Sequence, residues 1–323
     1  MTSGVQQSPS RVFGDPYDLV NVDGKTVSSD EARVSVHAHV LSYGTGTFEG
    51  IRASWNADRG QLYLSQAQAH YERLHRSARI LGLTLAFPAQ ELVAMTGELM
   101  RANEVRTDAY VRPLLVQVGD VLPVRMHDVR SRLSIAITPI VGDYVNAAGV
   151  RLMVSTWRRQ SDVAIPGRAK VVGSYVGPSL AKTEAVRAGY DEALLLTGDG
   201  FVAEATTSNV FLRVGDTWHT PPVTDDILEG ITRSEVCALV EETTGRSVQE
   251  RRIQRSELYT ADEALLCGTA STVVPVVEVD GRPVGDGSPG RQTAELRDTL
   301  RAIARRDDPR HHEWTSPVYE EAS

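Results

Sequence analysis

Lys170 is the one lysine in the stretch IPGRAKVVGSY (165–175), where most of its neighbours are small or apolar. A lysine amine attacks a carbonyl carbon only when it is unprotonated, so a partly desolvated lysine suits Schiff-base chemistry. The alternative is a surface lysine whose aliphatic stem covers apolar surface. The stretch alone does not separate the two interpretations, and the rest of the chain has to be considered.

A helix start in the segment LEGITR (228–233) could bind an anion. Gly230 precedes a predicted amphipathic helix, and the first N–H groups of that helix, from Ile231 and Thr232, have no partner within it. Such groups suit a phosphate. The alternative is an ordinary helix start, which needs no ligand.

The segment CGTAS (267–271) is a second candidate for anion binding. The backbone N–H groups of Gly268 and Thr269, together with the Thr269 hydroxyl, lie at a predicted strand end and could hold a phosphate or a carboxylate. The alternative is a plain turn.

Two charged residues could complete such a site. Glu204 stands in a strand pattern beside Val202 and Ala203, where an unpaired carboxylate is costly, and it could hold a ring nitrogen protonated. Arg73 lies in a helical pattern and could neutralise a phosphate. The alternatives are an exposed edge strand and a solvated helix arginine.

The hydrophobic pattern predicts the elements that must position these residues. Apolar residues at spacings of 3 to 4 predict helices within 65–83 and 87–105, and a hairpin is predicted across NADRG (56–60). Strands and helices alternate irregularly, which favours two α+β domains over a doubly wound sheet. The small, polar stretch 143–150 is the predicted linker.

The predicted linker separates a smaller N-terminal domain, 1–142, from a larger domain, 151–323. Residues 1–14 and 307–323 are predicted to be loosely ordered tails. His311 and His312 are adjacent, which is poor spacing for two ligands on one helix face, so no metal is expected there.

Composition excludes several classes of partner. The net charge of -8 argues against binding to nucleic acid or to an anionic membrane surface. No apolar run approaches the ~20 residues of a membrane span, and the polar N-terminus lacks a signal-peptide pattern, so a cytoplasmic enzyme is expected. Cys237 and Cys267 lie in apolar runs and are expected to be buried thiols.

Together and in this order, the segments resemble the class IV (fold type IV) pyridoxal-phosphate aminotransferases, most closely those of the branched-chain amino-acid type. The resemblance spans about residues 18–305 and implies an active site between the two domains. The matching pieces are YGTGTFEGIR, ERLHRSA, YVRPL, the Lys170 stretch with GSY, EA followed by N.F, LEGITR, ERRI with ELYTADEALLCGTAS, and VDGRPVG.

The resemblance implies roles for the cofactor residues. Lys170 would form the internal aldimine with pyridoxal 5'-phosphate and move the proton during reaction. Glu204 would pair with the pyridine nitrogen, and Tyr175 would bind the ring's 3-oxygen. The phosphate and the ring would be held by Arg73, Leu228, Gly230, Ile231, Thr232, Gly268 and Thr269.

The resemblance also implies a substrate pocket. The amides of Thr269 and Ala270, near the Tyr110 hydroxyl, would bind the α-carboxylate. The side-chain pocket would be walled by Tyr43, Phe48 and Tyr144, and glutamate's second carboxylate would meet Arg52 and Arg112.

The implied reaction is a ping-pong transamination. An L-amino acid, branched-chain or related aliphatic, and 2-oxoglutarate would give a 2-oxo acid and L-glutamate, in a homodimer or higher homo-oligomer whose partner subunit completes the pocket.

Some residues depart from the family pattern. GSY replaces GNY, EATTSN lacks an acidic residue, and Ser271 follows GTA where the family has another alanine. These changes keep two alternatives open: a specialised aminotransferase for a polar substrate, and a D-amino-acid aminotransferase or aminodeoxychorismate lyase of the same fold.

Overall fold

The computed structural model describes residues 12–142 and 148–320. Tyr144 and most of the predicted linker, 143–150, lie outside the described residues. The helices are α1 (His39–Tyr43), α2 (Ala67–Leu81), α3 (Ala89–Ala102), α4 (Val176–Arg187), α5 (Ile231–Thr244) and α6 (Arg291–Ala304). The strands are β1 (Leu19–Val22), β2 (Lys25–Ser28), β3 (Gly46–Phe48), β4 (Ile51–Asn56), β5 (Gln61–Ser65), β6 (Ala109–Gln117), β7 (Ser131–Pro139), β8 (Val150–Arg158), β9 (Glu192–Leu196), β10 (Val202–Ala205), β11 (Asn209–Val214), β12 (Thr217–Thr220), β13 (Gln249–Glu250), β14 (Glu263–Gly268), β15 (Thr272–Val279), β16 (Arg282–Pro283) and β17 (Thr315–Pro317).

The strands form two mixed sheets. The first sheet has the order β17-β5-β4-β6-β7-β1-β2, with β3 paired to β6, and the second has the order β10-β9-β8-β15-β14-β11-β12-β13, with β16 paired to β15. Most pairs are antiparallel, while β8 runs parallel to both β9 and β15. The expected α+β class, without regular βαβ alternation, is therefore confirmed.

The two helices predicted in the first half pack on the first sheet. In α2 the buried face carries Tyr71 and Leu74, and in α3 it carries Leu92 and Leu99. Their periodic apolar residues join those of β4, β5 and β6 in one core. The predicted hairpin also forms, since β4 and β5 pair across the turn. Helix α2 ends at Gly82, which adopts the left-handed conformation that glycine accepts without strain.

The second sheet is covered on both faces. Successive residues of β14 point to opposite sides, so Leu266 joins the core under the loops while Leu265 packs against α5 and α6. Helix α4 packs on β8 and β9 through Ala181 and Ala185. This layering fixes the start of α5 and the end of β14, the two segments that were candidates for anion binding.

The prediction of a loose C-terminal tail over 307–323 is wrong for the described part, which ends at residue 320. Strand β17 pairs with β5 at the edge of the first sheet, so this segment belongs to a sheet otherwise built from the first half of the chain. Val318 is buried, and the Tyr319 hydroxyl donates to the carbonyl oxygen of Val105 at 2.6 Å. Backbone pairing and these two side chains hold a segment whose polar composition suggested disorder.

The predicted N-terminal tail, 1–14, is also wrong for its last three residues. Phe13 forms a β-bridge with Ile140, and the Gly14 N–H donates to the Pro139 carbonyl at 2.9 Å. Among the described residues, no helix has the length and apolar character that crossing a bilayer requires.

Candidate active site

A cavity of about 200 Å³ lies between the two sheets and is lined by residues from both. All ten residues expected to bind the cofactor line this cavity: Arg73, Lys170, Tyr175, Glu204, Leu228, Gly230, Ile231, Thr232, Gly268 and Thr269. Sequence segments that are far apart along the chain are thus brought together at one place.

Lys170 is fixed by its backbone and directed by a hydroxyl. Its N–H donates to the Ser77 hydroxyl oxygen at 3.2 Å, and its carbonyl oxygen accepts the Phe48 N–H at 3.1 Å. Its Nζ donates to the Tyr175 hydroxyl oxygen at 2.8 Å and lies 4.9 Å from the centre of the Phe48 ring. The amine therefore points into the cavity with one polar partner and an aromatic face beside it.

Glu204 lies on β10 at the opposite end of the cavity, fully surrounded by partners. Nε of Arg159 lies 2.8 Å from Glu204 Oε1, and the Leu228 N–H donates to Oε2 at 3.1 Å, while the Asn209 amide donates to Oε2 at 3.2 Å. Burial raises the pKa of Glu204, and the positive charge of Arg159 and the Leu228 N–H oppose that rise. The geometry suits a carboxylate that meets a positively charged ring nitrogen.

An anion cup is formed where α5 and β14 meet, consisting of Arg73, Gly230, Ile231, Thr232, Gly268 and Thr269. Gly230 caps α5, and the first amides of the helix have no intrahelical partner. A Cβ on Gly230 would overlap the Asn209 side-chain oxygen, and one on Gly268 would lie 3.0 Å from the Ser208 hydroxyl oxygen. Both glycines therefore allow backbone to approach a ligand closely.

Arg73 reaches the anion cup from α2 and is held there by Glu49. Its Nε and Nη2 donate to the two carboxylate oxygens of Glu49 at 2.7 and 2.8 Å, and its Nη1 donates to the Glu229 carbonyl oxygen at 2.7 Å. Nδ1 of His70 lies 2.7 Å from Glu49 Oε2. Burial alone would raise the pKa of Glu49, but Arg73 and His70 more than offset it and hold that pKa well below its usual range.

The substrate side of the cavity combines aromatic rings with a cation. Phe48, Tyr110, Arg112 and Ala270 line it, as expected from the sequence. The Arg112 guanidinium lies 4.6 Å from the centre of the Phe48 ring and 5.1 Å from that of Tyr110, and it has no ion pair within 12–142 or 148–320. A Cβ on Gly50 would overlap the Tyr110 hydroxyl, so this glycine makes room for the tyrosine.

Two predicted substrate residues do not line this cavity. Nη2 of Arg52 donates to Asp108 at 2.9 Å and Nη1 donates to the Ala270 carbonyl oxygen at 3.0 Å, so its guanidinium supports the GTAS turn from behind. Tyr43 is exposed, and its hydroxyl donates to the Leu122 carbonyl oxygen at 2.5 Å. The position of Tyr144 lies outside the described residues.

Three residues of the site were missed in the sequence. Arg159 follows β8 beside Arg158, and nothing in STWRRQ distinguishes the two. Glu49 stands in a quoted motif, where its position between Phe48 and Gly50 was a signal of burial that could have been used. Phe13 lies in the predicted tail, yet its ring is 5.6 Å from that of Tyr110, edge to face, and it lines the cavity.

The cavity also carries a row of hydroxyl groups. Thr206, Thr207 and Ser208 follow Glu204, and Ser271 lies nearby in the GTAS turn. The Thr206 hydroxyl donates to Glu192 Oε1 at 2.7 Å and is thus already engaged. These residues are the ones in which the chain departs from the family pattern.

The chain matches one protein family over most of its length. The family described as "Amino-transferase class IV" matches residues 46–279. A relative from Aquifex aeolicus (strain VF5), named a probable branched-chain-amino-acid aminotransferase, is 43% identical over 304 residues, which cover 94% of this chain and 97% of the relative.

Solved structures agree with the sequence match. The branched-chain aminotransferase of Thermoproteus uzoniensis, crystallised with norvaline, superimposes with a TM-score of 0.89 at 38% identity, covering 94% of this chain and 100% of that one. A second branched-chain amino acid aminotransferase, solved in complex with N-(5'-phosphopyridoxyl)-L-glutamate and labelled only T.th. for its source, gives a TM-score of 0.87 at 35% identity, covering 94% and 99%. Sequence, fold and cavity together show that this chain belongs to the class IV aminotransferases, in the branched-chain-amino-acid aminotransferase family.

Proposed function

We propose that this protein transfers the amino group of a branched-chain or related aliphatic L-amino acid to 2-oxoglutarate, giving a 2-oxo acid and L-glutamate. The observation that carries the proposal is the arrangement of one cavity, in which Lys170 Nζ, Glu204 and the anion cup lie on different walls. The cofactor is pyridoxal 5'-phosphate, as in solved relatives.

The residues present fit this cofactor. A phosphate dianion suits the anion cup, where free helix amides and the Arg73 guanidinium offer donors and positive charge. A pyridine nitrogen suits Glu204, and a ring hydroxyl suits Tyr175. When bound, pyridoxal phosphate supplies an electron sink for the electrons of the substrate's Cα–H bond.

Lys170 is the group that moves the proton. Its Nζ is the amine available in the cavity to accept the Cα proton of the substrate and to return it at the neighbouring carbon. The Tyr175 hydroxyl, 2.8 Å from Nζ, limits where the amine can swing. Glu204 stays a carboxylate through Arg159 and can therefore hold a proton on the ring nitrogen.

One pocket must accept two kinds of side chain in turn. The rings of Phe13, Phe48 and Tyr110 offer apolar surface for an aliphatic side chain. Arg112 offers its charge to the second carboxylate of glutamate or 2-oxoglutarate, which would be costly to bury unpaired. The norvaline and phosphopyridoxyl-glutamate complexes of relatives support both halves of this proposal.

We further propose that the enzyme acts as a cytoplasmic homodimer. Tyr43, Leu122 and Val124 form an exposed patch on the first-sheet side, which suits contact with a second copy. Both cysteines are free thiols, which suits a reducing compartment.

An amino-donor screen with 2-oxoglutarate as acceptor tests the function. We expect glutamate to form with L-leucine, L-isoleucine or L-valine, and not with D-alanine. The Lys170→Ala variant should lose the visible absorbance of the bound cofactor and at least about 10³-fold in activity, whereas Lys25→Ala should not. Turnover of D-alanine or aminodeoxychorismate without any aliphatic L-amino acid would reject the proposal.

A second candidate substrate class is favoured by the hydroxyl row of Thr206, Thr207, Ser208 and Ser271. A polar or acidic amino acid could use these groups where an aliphatic side chain cannot. The same screen, extended to polar L-amino acids, distinguishes the two classes by their relative kcat/KM values.

A further inference from the structure

A second, smaller cavity of about 30 Å³ lies directly behind the anion cup. Ile231, Thr232 and Thr269 line both cavities, so one layer of residues separates them. The far side is formed by apolar residues of α6 and by Trp314 of the C-terminal segment. A polar cavity of this size has room for a water molecule.

Glu235 projects into this smaller cavity from α5, one turn after Ile231. The residue is 8% exposed, and within the described part of the chain its carboxyl is hydrogen-bonded to the Gln66 side chain and lies in no ion pair. The buried Ser65 hydroxyl oxygen lines the same cavity and has no hydrogen-bond partner among the described residues. A buried carboxyl and an unpaired hydroxyl thus share a space behind the amides of the anion cup.

The groups that face Glu235 do not supply a compensating charge. Burial lowers the pKa of His70, which leaves its imidazole neutral. Arg52 is engaged by Asp108 at 2.9 Å, and burial raises the pKa of the Cys267 thiol well above its usual range.

The remaining neighbours are uncharged or directed elsewhere. The α6 residues on the cavity, Leu300, Ile303 and Ala304, are apolar. Arg233, on the same helix as Glu235, directs its Nη2 to Glu250 at 2.9 Å, away from the cavity. Burial accordingly raises the pKa of Glu235 to about 7.

We propose that Glu235 sets the affinity of the anion cup for the cofactor phosphate and makes that affinity fall as the pH rises. A neutral Glu235 can donate a hydrogen bond and adds no charge behind the helix amides. An ionised Glu235 places a negative charge one turn behind the same amides, in a medium of low dielectric constant, and repels a phosphate dianion. The proposal rests on the cofactor assignment made above.

Titration of the apo-protein with pyridoxal phosphate at about pH 6 and about pH 8.5 tests this proposal, with the Kd followed by absorbance. The matched variants are Glu235→Gln, which keeps the shape without the charge, and Glu241→Gln, an exposed position on the same helix. Ionisation of the phosphate itself is common to all proteins and cancels in ratios. We expect the wild-type Kd, divided by that of Glu235→Gln, to rise about 5-fold or more between the two pH values.

Inorganic phosphate, as a competitor for pyridoxal phosphate, should show the same change in the same ratio. Glu241→Gln should follow the wild type, and Glu235→Ala should follow Glu235→Gln, which guards against one variant that folds poorly. A ratio that stays constant across pH overturns this inference while leaving the proposed function intact. Failure of the wild type to bind pyridoxal phosphate at any pH overturns both.

Discussion

Glu49 and Arg73 form a buried, two-fold hydrogen-bonded ion pair, with N···O distances of 2.7 and 2.8 Å, at the inner edge of the anion cup. Both side chains are almost completely buried, at 0% and 4% exposure. The pair fixes the plane of the guanidinium, while Nη1 is tied to the Glu229 carbonyl oxygen just before α5. Arg73 therefore links the first sheet's helix to the start of α5, and its direction toward the cofactor depends on Glu49.

We predict that Glu49→Gln weakens both the fold and cofactor binding. Removing one partner of a buried ion pair leaves the other charge uncompensated, which costs about 3–5 kcal/mol. The melting temperature of the apo-protein should fall by several degrees, and the Kd for pyridoxal phosphate should rise. Glu72→Gln, at an exposed position of α2, is the control. Unchanged values of both quantities in Glu49→Gln would show that Arg73 needs no partner.

We predict that Arg112→Gln separates the two half-reactions. The guanidinium lies beside Phe48 and Tyr110 without an ion pair in the described structure, so its charge is available to a substrate carboxylate. The KM for 2-oxoglutarate should rise by about 10-fold or more, since a charge-assisted hydrogen bond contributes about 1.5–3 kcal/mol.

The KM for L-leucine should change little in the same Arg112→Gln variant, as should all constants in Arg291→Gln, whose side chain is exposed. An equal rise for leucine and 2-oxoglutarate would assign Arg112 to general positioning of substrates instead.

We predict that Phe13→Ala raises the KM for aliphatic donors without affecting the cofactor. The Phe13 ring packs edge to face on Tyr110 and lines the cavity, but it is not part of the anion cup. Loss of a large buried aromatic surface costs a few kcal/mol at most, so an increase in KM of about 10-fold is expected. Steady-state kinetics with L-leucine, together with the Kd for pyridoxal phosphate, measure the two effects. A changed Kd with an unchanged KM would contradict this role.

The sequence predicted the local elements and the cofactor residues better than the contacts among them. Periodicity was sufficient for α2 and α3, because each buries one face against a neighbouring sheet. Lys170 was ambiguous by itself and gained its interpretation only from the family resemblance of the whole chain. Arg159 pairs with Glu204 across two strands of the second sheet, and such a pairing depends on tertiary structure that periodicity does not encode.

The errors have a common physical origin. Phe13 and β17 lie in segments whose composition is polar, but a few backbone hydrogen bonds and one or two buried side chains hold each of them. Arg52 was expected to meet a substrate because arginines near aromatics favour a pocket. Asp108, on the same sheet, is a nearer partner for its charge.

The final prediction concerns the pH dependence of stability through Glu235. Burial raises the pKa of this carboxyl from 4.5 to about 7. A group whose pKa is raised by folding contributes stability that is fully present below its unfolded pKa and is lost as the pH rises through the folded pKa. Between about pH 4.5 and about pH 7 the contribution of Glu235 should therefore decline, by roughly 3 kcal/mol in total at 1.36 kcal/mol per unit.

Glu235→Gln carries no ionisable group and should escape this decline. Its melting temperature relative to the wild type should therefore increase from about pH 5 to about pH 8, by a few degrees. Differential scanning calorimetry of both apo-proteins at the two pH values measures the difference, with Glu241→Gln as the exposed control. A difference in melting temperature that is the same at both pH values would mean that Glu235 does not change its protonation state in the folded protein over this range.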